Sequence, residues 1–518
     1  MTAGVTHIVI VGGGSAGWLT AGVLAADHHH RGLKVTLIES PDVPIIGVGE
    51  GTWPSMRSTL QKIGISEDAL IHDCNASFKQ GTQFVGWSNS QEHTYFHPFS
   101  LPIEYTALNP AQYWTHLDNK PPFADFVTPQ AAVMQAGLAP KQAATPEYAF
   151  AQNYAYHFDA AKFAQLLKSH VVGQLGVQHI LANVEQVLGE SNSNGVKRIA
   201  ALQLDNGANI EAGLFVDCSG QKSILLAGHF GVGFESVEDV LFNNSAMATQ
   251  VPYIESQAPV VPYTKATATK WGWIWDIGLQ NRRGIGYVYS DKYVDVDEVQ
   301  TEFSQYLATQ SELSQQPTDF RELKFHPGYR KTFWVENCVA IGLSSGFVEP
   351  LEASALALVE QSAHLLSREL PQDTKLLPIA AKRFNSKMSY HWQRIVEFLK
   401  LHYAVCQRND SPYWQAHHDE NTWPDSLREK VQIWQQQTPY FDDAPQVDEL
   451  FPSASYQFVL YGLGFEQTYF SGPADVQRRA AVDHALAEVK QLAQRLCQGL
   501  PMHRELLNQI NNRHLARQ

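Results

Sequence analysis

The sequence predicts an α/β fold in which a parallel sheet is covered by helices. Three observations near the N-terminus support this prediction. Ile8–Val11 is a β-branched, apolar run typical of a strand that is buried on both faces. A glycine-rich turn follows it, and beyond the turn apolar residues recur at helical spacing. A second strand, Val35–Ile38, then ends at the acidic residue Glu39.

The turn after the first strand fits the pattern G-x-G-x-x-G. Gly12 permits the tight turn, Gly14 lets a pyrophosphate approach the backbone, and Gly17 lets the helix pack on the strand. The N-terminus of the helix offers free N–H groups to phosphate. Glu39 stands where a Rossmann fold places the residue that accepts a hydrogen bond from a ribose hydroxyl. Together these features indicate a dinucleotide site and argue against a glycine-rich turn without a ligand.

Composition and charge exclude several classes of protein. The 518 residues are 44% hydrophobic and 17% charged, as in a globular chain with a large core. The net charge of −14 argues against nucleic acid or an anionic membrane as a partner. No apolar run approaches the roughly 18 residues of a membrane span, and we expect no signal segment before the first strand. Five scattered cysteines without a CxxC pair indicate reduced thiols in a cytoplasmic protein and no metal site.

Long insertions interrupt the strand pattern, so the predicted units are interleaved. Residues 54–80 are predicted to be mainly helical, and residues 82–150, rich in aromatics and proline, to be an irregular segment lining a pocket. Strands ending in glycine return at Asp217 and before Gly342. We expect a discontinuous nucleotide-binding module over residues 1–80 and 155–355, an inserted substrate-lining segment over 82–150, and a mainly helical substrate-binding region over 356–518.

These interruptions favour FAD over a nicotinamide nucleotide. A nicotinamide dehydrogenase usually continues from its first phosphate-binding turn with alternating strands and helices, whereas large insertions suit a flavoprotein in which FAD lies extended across the sheet. The chain has one convincing G-x-G-x-x-G, so reducing equivalents are expected from outside. The glycines of Gly47–Gly51 imply backbone that lies close against something flat. The predicted cofactor-binding residues are Gly12, Gly14, Ser15, Ala16, Gly17, Glu39, Gly49, Asp217 and Gly342.

Motifs further along the chain point to one family. They are Phe78-Lys79, Trp273-x-Trp275-x-Ile277 and Glu349-Pro350-Leu351-Glu352. With the glycine turn, they make the sequence resemble the flavin-dependent tryptophan halogenases over nearly its whole length. The tryptophan motif is the most specific, because the pattern Trp-x-Trp-x-Ile-Pro separates halogenases from other flavin monooxygenases, although Gly278 replaces the proline here. The resemblance implies the FAD-binding, Rossmann-like, three-layer ββα fold of flavoprotein monooxygenases, with an added helical region.

The resemblance also implies a two-component reaction. A separate flavin reductase supplies reduced FAD, O₂ converts it to a flavin hydroperoxide, and chloride or bromide attacks this to give hypohalous acid. The oxidant passes to a lysine that matches Lys79 and halogenates an indole or another electron-rich aromatic. Lys79 can donate a hydrogen bond to hypohalous acid or, when deprotonated, form a haloamine. The carboxylate partner matches Glu352, which can orient the lysine, stabilise a cationic ring or accept its proton.

The halide and substrate positions depart from the family pattern. The family continues from the glutamate with Ser-Thr-Gly, whose amides help to hold halide, whereas Ala353-Ser354-Ala355 follow here. Ser354 and Ala355 are therefore the expected halide-binding residues, with a narrower approach. The family clamp for free tryptophan matches residues 440–456 poorly, so an indole or another aromatic is expected. The substrate-lining residues are predicted to be His97, Phe99, Trp273, Trp275, Tyr440, Phe451 and Tyr456, and packing alone explains the first four about as well.

Two alternatives remain open from the sequence. In an aromatic hydroxylase, the flavin would transfer oxygen directly and Lys79 would be dispensable. A flavin-binding sensor or carrier would hold flavin tightly and form no oxidation product. In the halogenase interpretation the partners are a transient flavin reductase and an aromatic small molecule, with no nucleic acid and no membrane, and a homodimer is left open.

Overall fold

The structure is a computed structural model that describes residues 4–44, 49–90, 92–191, 197–313, 320–447, 449–468 and 476–517. Its strands are β1 (His7–Val11), β2 (Lys34–Glu39), β3 (Glu50–Gly51), β4 (Ser77–Lys79), β5 (Gly81–Val85), β6 (Thr94–Pro98), β7 (Ala155–Phe158), β8 (Gln178–Leu181), β9 (Val184–Ser191), β10 (Lys197–Leu204), β11 (Asn209–Glu211), β12 (Leu214–Asp217), β13 (Phe234–Ser236), β14 (Ser245–Pro252), β15 (Thr264–Ala268), β16 (Gly272–Gly278), β17 (Arg282–Tyr289), β18 (Arg321–Lys324), β19 (Gly328–Arg330), β20 (Trp334–Val335), β21 (Cys338–Ala340) and β22 (Gly346–Phe347).

Its α-helices are α1 (Ser15–His28), α2 (Ser55–Ile63), α3 (Glu67–Asp73), α4 (Ala111–Trp114), α5 (Phe123–Val127), α6 (Gln130–Gln135), α7 (Ala160–Gly173), α8 (Val296–Ala308), α9 (Ser354–Glu369), α10 (Leu377–Ala404), α11 (Pro412–His417), α12 (Asp425–Trp434), α13 (Ser453–Gly462), α14 (Val476–Gly499) and α15 (His503–Leu515). Within the described ranges, all strands end before α9 begins. None of these helices is both long and apolar enough to cross a membrane.

A six-stranded sheet with the order β20-β21-β12-β1-β2-β8 forms the centre of the nucleotide-binding part. Its strands are parallel except for β20 at one edge. The two faces of β1 are covered differently. Ile8 and Ile10 join the large core that contains α1 and α7, while Val9 and Val11 pack in a second core with residues of the β9–β11 sheet. This is a three-layer ββα arrangement, so the predicted fold class is confirmed.

A second large sheet has seven strands in the order β18-β14-β17-β16-β15-β5-β6. It is antiparallel except where β15 pairs with β5. Strands β5 and β6 belong to the segment predicted to be irregular, and this part of the prediction was wrong. Their residues form a regular antiparallel pair from Gly81↔Pro98 to Val85↔Thr94, and Phe84 is buried. Cross-strand pairing, which local composition does not reveal, orders this segment.

A small three-stranded sheet, β3-β7-β4, carries Lys79. The predicted helical segment from residue 54 to residue 80 was therefore wrong at its C-terminal end. Helix α3 stops at Asp73, and Asn75 beyond it has a positive φ of 49°, which turns the chain away from the helix. Phe78 and Lys79 then pair with Tyr156 and Ala155 of β7. Because a strand in this position needs its partner β7, the pairing overrides the helical periodicity.

Candidate active site

The glycine turn between β1 and α1 has the geometry of a phosphate-binding loop. Gly12 has φ +123°, and a Cβ there would lie 2.1 Å from the carbonyl oxygen of Cys218. A Cβ at Gly17 would lie 1.9 Å from the oxygen of Gly12. A Cβ at Gly14, in contrast, would meet nothing within 4 Å, and no side chain caps α1. The first N–H groups of α1, at Ser15 and beyond, therefore face open space where a pyrophosphate fits.

The other predicted cofactor residues surround this loop. Gly342, with φ +75°, lies so close to the loop that a Cβ there would be 2.7 Å from the Cβ of Ala16. The side chain of Glu39 lies beneath Gly13, and its Oε2 accepts a hydrogen bond from Lys168 Nζ at 2.9 Å. The parallel sheet thus brings Gly342 and Glu39 next to the glycine loop. These features fit an extended dinucleotide.

Two of the predicted cofactor residues are constrained by the fold. The carboxylate of Asp217 accepts five hydrogen bonds from its own loop, including the N–H groups of Leu225 and Leu226 at 2.9 and 2.8 Å. The Asp217 carboxylate thus organises the end of β12. Contact of Asp217 with flavin, which stays a prediction, would have to come from its backbone. Gly49 packs near Ile277, with 3.6 Å between a Cβ at 49 and Ile277 Cγ2. Ile46, Gly47 and Val48, of the same glycine-rich stretch, lie outside the described residues.

Lys79 is a buried lysine that forms no hydrogen bond to any described residue. Its Nζ lies 5.3 Å from the centroid of the Phe99 ring. Burial lowers the pKa of Lys79 to about 8, against the attraction of Glu352, which raises it. A Cβ placed at Gly51 would lie 3.3 Å from both Lys79 Nζ and the Cβ of Ala353. The absence of a side chain at position 51 thus lets the lysine lie close to the loop of Glu352.

Glu352 stands on a strained loop immediately before α9. Glu352 and Ala353 have φ values of 63° and 55°, in the left-handed region that non-glycine residues rarely adopt. The surrounding structure holds this conformation, because Trp53 Nε1 donates to the Glu352 carbonyl at 2.7 Å and Ala353 N–H donates to Pro350 at 2.9 Å. Consecutive strained residues of this kind concentrate at functional sites.

The Glu352 carboxylate is anchored by side chains from two sheet strands and from α10. His97 Nδ1 lies 2.6 Å and His402 Nε2 3.3 Å from Oε1, and Thr82 Oγ1 donates to Oε2 at 3.3 Å. Burial would raise the pKa of Glu352, but His97 and His402 hold the pKa well below its usual range. The second ring nitrogen of His402 faces the carbonyl of Phe398 at 2.9 Å. His402 therefore lies between two oxygen atoms, which fixes the orientation of its ring.

The first glutamate of the Glu-Pro-Leu-Glu motif organises a second buried network. Glu349 Oε2 accepts hydrogen bonds from Asn243 Nδ2, from Trp273 Nε1 at 3.0 Å and from Tyr403 OH at 2.9 Å. Burial raises the pKa of Glu349, and these three donors oppose the rise. Trp275 lies on the same face of β16, with its ring centroid 6.4 Å from that of Trp273. The tryptophan motif thus supports the loop that ends at Glu352, and contact of either ring with substrate stays a prediction.

The predicted halide residues begin helix α9. Ser354 and Ala355 occupy its first turn, and no side chain caps the helix. The unpaired N–H groups of that turn and the positive end of the helix dipole suit an anion. Halide binding at Ser354 and Ala355, directly after Glu352, stays a prediction.

Three predicted lining residues lie in different environments. Phe99 faces Lys79, and His97 serves as a partner of Glu352, while contact of either ring with substrate stays a prediction. Phe451 stacks on Phe398 at 3.9 Å between ring centroids and meets Trp53 edge-on at 4.7 Å. These rings connect to Glu352 through His402 and Trp53, so they form an aromatic wall beside the carboxylate.

The remaining two lining residues differ in burial. Tyr456 is buried against Phe398 and donates to Glu397 Oε1 at 3.0 Å, inside an ion-pair cluster. Tyr440 donates to the carbonyl of Thr106 at 3.3 Å near the surface. The Tyr440 hydroxyl is thus engaged by the insertion.

Sequence reasoning missed several residues of the site. Gly51, His402, Thr82 and Trp53 all shape the surroundings of Lys79 or Glu352. A signal was present for His402, because it interrupts the buried apolar face of α10 between Phe398 and Tyr403. A histidine on such a face needs polar partners from another element. Gly51 belongs to the glycine-rich stretch already expected to lie close against another part of the fold, although its contact with Lys79 was not foreseen. Thr82 and Trp53 carry no comparable signal, because their role depends on the fold.

Comparisons with known proteins agree with the geometry of this site. The family model for tryptophan halogenase matches residues 7–475. The solved structure of a tryptophan halogenase from Shewanella frigidimarina NCIMB 400 is 43% identical, with a TM-score of 0.93 and 98% of each chain covered. Tryptophan 6-halogenase ThaL of Streptomyces albogriseolus is 31% identical, covering 97% of this chain and 98% of its own. BrvH, a flavin-dependent halogenase from Brevundimonas sp. BAL3, is 30% identical with a TM-score of 0.85, covering 98% of this chain and 99% of its own.

The family model spans most of the chain, and the similar proteins align with it from end to end. The resemblance read from the sequence motifs is thereby confirmed. Members of this family use flavin and halide. The chain therefore belongs to the flavin-dependent tryptophan halogenase family and is a halogenating oxidoreductase.

Proposed function

We propose that this enzyme halogenates an indole or another electron-rich aromatic ring with hypohalous acid held at Lys79. The observation that carries the proposal is the pairing of a buried lysine with a buried carboxylate that raises its pKa. Lys79 Nζ forms no hydrogen bond within the described residues, and it lies beside Gly51 at the loop of Glu352. A small polar oxidant at this position would accept the hydrogen bond that Lys79 has to offer.

Lys79 would act on the oxidant in one of two protonation states. With a pKa of about 8, both the ammonium and the amine are present in quantity near neutral pH. The ammonium would donate a hydrogen bond to hypohalous acid, and the amine would form a haloamine. In both cases the ring gains the halogen and loses a proton, and the hypohalous oxygen leaves as water.

Glu352 would supply the negative charge that this reaction needs. Its low pKa keeps it a carboxylate, so it favours the charged form of Lys79 and can stabilise the cationic ring. It can also accept the proton that the ring releases. Its rigid attachment to His97 and His402 holds the carboxylate in one orientation.

FAD would occupy the loop between β1 and α1. Bound reduced FAD supplies the electrons with which O₂ and halide yield the oxidant. The uncapped start of α1 would hold the pyrophosphate, and Glu39 would accept from a ribose hydroxyl. Chloride or bromide would bind at Ser354 and Ala355, at the start of α9.

The substrate is expected to be aromatic but not bound as free tryptophan. ThaL is named for action on tryptophan. In this chain, Tyr440 is engaged by Thr106, and Gln446 stands where the family has a glutamate. The wall formed by Phe398, Phe451 and Trp53 would pack against a ring without selecting an amino-acid group. We also propose that a separate flavin reductase supplies the reduced FAD and that the enzyme is cytoplasmic.

The decisive experiment compares Lys79→Met with Lys400→Met. Lys400 is a second buried lysine, hydrogen-bonded to His417 Nδ1 at 3.0 Å, so it is a matched control. Purified protein is supplied with a flavin reductase, NADH, O₂, bromide or chloride, and a panel of indoles. We expect Lys79→Met to lose halogenated product at least 100-fold while O₂ is still consumed, and Lys400→Met to retain it.

Other outcomes would support the competing interpretations. An oxygenated aromatic formed equally well by wild type and Lys79→Met would indicate a hydroxylase. Tightly bound flavin without any oxidised product across the panel would indicate a sensor or carrier. Separating supernatant from membranes and periplasm in the source cells would test the location.

A further inference from the structure

The last helix, α15, packs on α3, the short helix that leads to the Lys79 strand. At the start of α3, Asp68 forms ion pairs with Arg513 at 2.5 Å and Arg517 at 3.1 Å. At the end of α3, His72 and Asp73 face His514. The contact between these two helices is therefore polar at both of its ends, with cations at one and imidazoles at the other.

The donor atoms at the imidazole end lie close together. His72 Nδ1 is 2.8 Å from Asp73 Oδ1, and His514 Nε2 is 4.0 Å from the same oxygen. The imidazole rings stack with their centroids 4.8 Å apart. All three donor atoms lie within 4.8 Å of one another. Two imidazoles from two helices and one carboxylate thus form a single cluster of possible metal ligands.

We propose that His72, Asp73 and His514 bind a divalent transition-metal ion such as Zn²⁺. Two histidines and one carboxylate, with water in the fourth position, form an established zinc ligand set. For metal–ligand distances of about 2.0–2.1 Å, tetrahedral ligand atoms stand about 3.3 Å apart. His514 Nε2 therefore has to approach Asp73 Oδ1 by about 0.7 Å. The most distant pair of donor atoms, which lies within 4.8 Å, has to close by at most about 1.5 Å, which side-chain rotation provides. The metal would replace the proton between His72 and Asp73.

The electrostatics of this position also favour a cation. Helix α3 ends at Asp73 and α15 ends at Leu515, so the negative ends of two helix dipoles point to the same region. The nearby guanidinium groups of Arg513 and Arg517 are paired with Asp68. The side chains of His72, Asp73 and His514 are 33%, 41% and 15% exposed, so an ion can reach them from solvent.

A bound ion would tie the C-terminal helix to the catalytic strand. At the other end of α15, His503 Nε2 accepts from the N–H of Phe78 at 3.0 Å, and its Nδ1 lies 2.8 Å from the carbonyl of Val260. Phe78 precedes Lys79 in β4. The metal at His514 and the hydrogen bond at His503 would fasten α15 at both ends, so the free energy of unfolding would rise with the logarithm of the metal concentration once the metal exceeds its Kd.

The test is a titration of the full-length protein with CoCl₂ and ZnCl₂, with MgCl₂ as a hard-cation control. We expect one equivalent of Co²⁺ to bind with visible ligand-field absorption, Zn²⁺ to displace it, and Zn²⁺ to raise the unfolding temperature. His72→Ala and His514→Ala should each weaken Zn²⁺ binding at least 30-fold. His326→Ala, which removes an 86% exposed imidazole elsewhere, should leave it unchanged.

Two results would overturn this proposal. The first is a wild-type protein that shows no saturable one-to-one binding of Co²⁺ or Zn²⁺, whatever the variants do. The second is unchanged affinity in both His72→Ala and His514→Ala, with circular dichroism confirming that they are folded. Neither result depends on the halogenation reaction.

Discussion

Nδ1 of His97 lies 2.6 Å from Oε1 of Glu352, which joins strand β6 to the loop before α9. His402 of α10 approaches the same oxygen at 3.3 Å. Three elements therefore meet at one carboxylate oxygen. Because both partners are imidazoles, each of them can donate an N–H hydrogen bond to the carboxylate.

Replacing either imidazole should weaken catalysis and shift its pH dependence. A hydrogen bond to a charged group contributes about 1.5–3 kcal/mol, so His97→Ala and His402→Ala should each lower kcat about 10- to 100-fold. Each change should also raise the pKa of Glu352, because a group that lowers it is removed. The acid limb of the pH–rate profile should then move to higher pH. His326→Ala is the control, and an unmoved acid limb in both variants would contradict this role.

The pH dependence of halogenation should show an inflection near pH 8 that belongs to Lys79. Burial sets this pKa by disfavouring the ammonium, so raising the pH through 8 converts the ammonium to the amine. Activity that rises through pH 8 indicates a haloamine, and activity that falls indicates a hydrogen-bonded cation.

Lysine labelled with ¹³C at Cε would assign this inflection by NMR. Lys79→Arg should remove the resonance that titrates near 8. Lys400→Arg should remove a different resonance, since burial lowers the pKa of Lys400 to about 7. A Lys79 resonance that titrates above pH 10 would show that the lysine is solvated.

Gly51→Ala should impair halogenation by filling the space beside Lys79. The new methyl group would lie 3.3 Å from Lys79 Nζ and from the Cβ of Ala353, where the oxidant is expected. We expect product to fall at least tenfold while flavin binding and O₂ consumption continue. Gly173→Ala is the matched control, because a Cβ there meets nothing within 4 Å. Equal product yields from both variants would place the oxidant elsewhere.

Gly14→Ala and Gly17→Ala should separate cofactor binding from folding. A Cβ at Gly14 meets no protein atom within 4 Å, so the apo protein should unfold at the same temperature while its affinity for FAD falls. A Cβ at Gly17 lies 1.9 Å from the oxygen of Gly12, so Gly17→Ala should destabilise the apo fold by about 1–3 kcal/mol. Thermal unfolding and a fluorescence titration with FAD measure the two effects. Full FAD affinity in Gly14→Ala would contradict a pyrophosphate at this turn.

The nucleotide-binding turn could be predicted from the sequence because its physics is local. Gly12, Gly14 and Gly17 are required for steric reasons that arise within one strand, one turn and one helix. Glu39 follows at the end of the next strand, which lies beside the first in the parallel sheet. The family motifs added Lys79 and Glu352 by resemblance, without any information on how the two meet.

The helix that was predicted to reach residue 80 shows why local sequence patterns are not sufficient to predict this part of the fold. The stretch has helical periodicity, yet Ser77–Lys79 forms β4 because β7 provides hydrogen-bonding partners. These partners lie about 80 residues further along the chain. The proposed metal ligands were missed for the same reason, since His72 and Asp73 meet His514 only when α15 packs on α3.

The sequence by itself determined the fold class, the nucleotide-binding turn and the family, because these depend on short-range patterns of glycine, apolar residues and motif side chains. Only the tertiary structure decided the charge of the site. The burial that lowers the pKa of Lys79, the imidazoles that hold Glu352 ionised and the space at Gly51 each require elements that are distant in the chain. Solvent exclusion and the geometry of charged partners are properties of packing, and they are absent until the chain has folded.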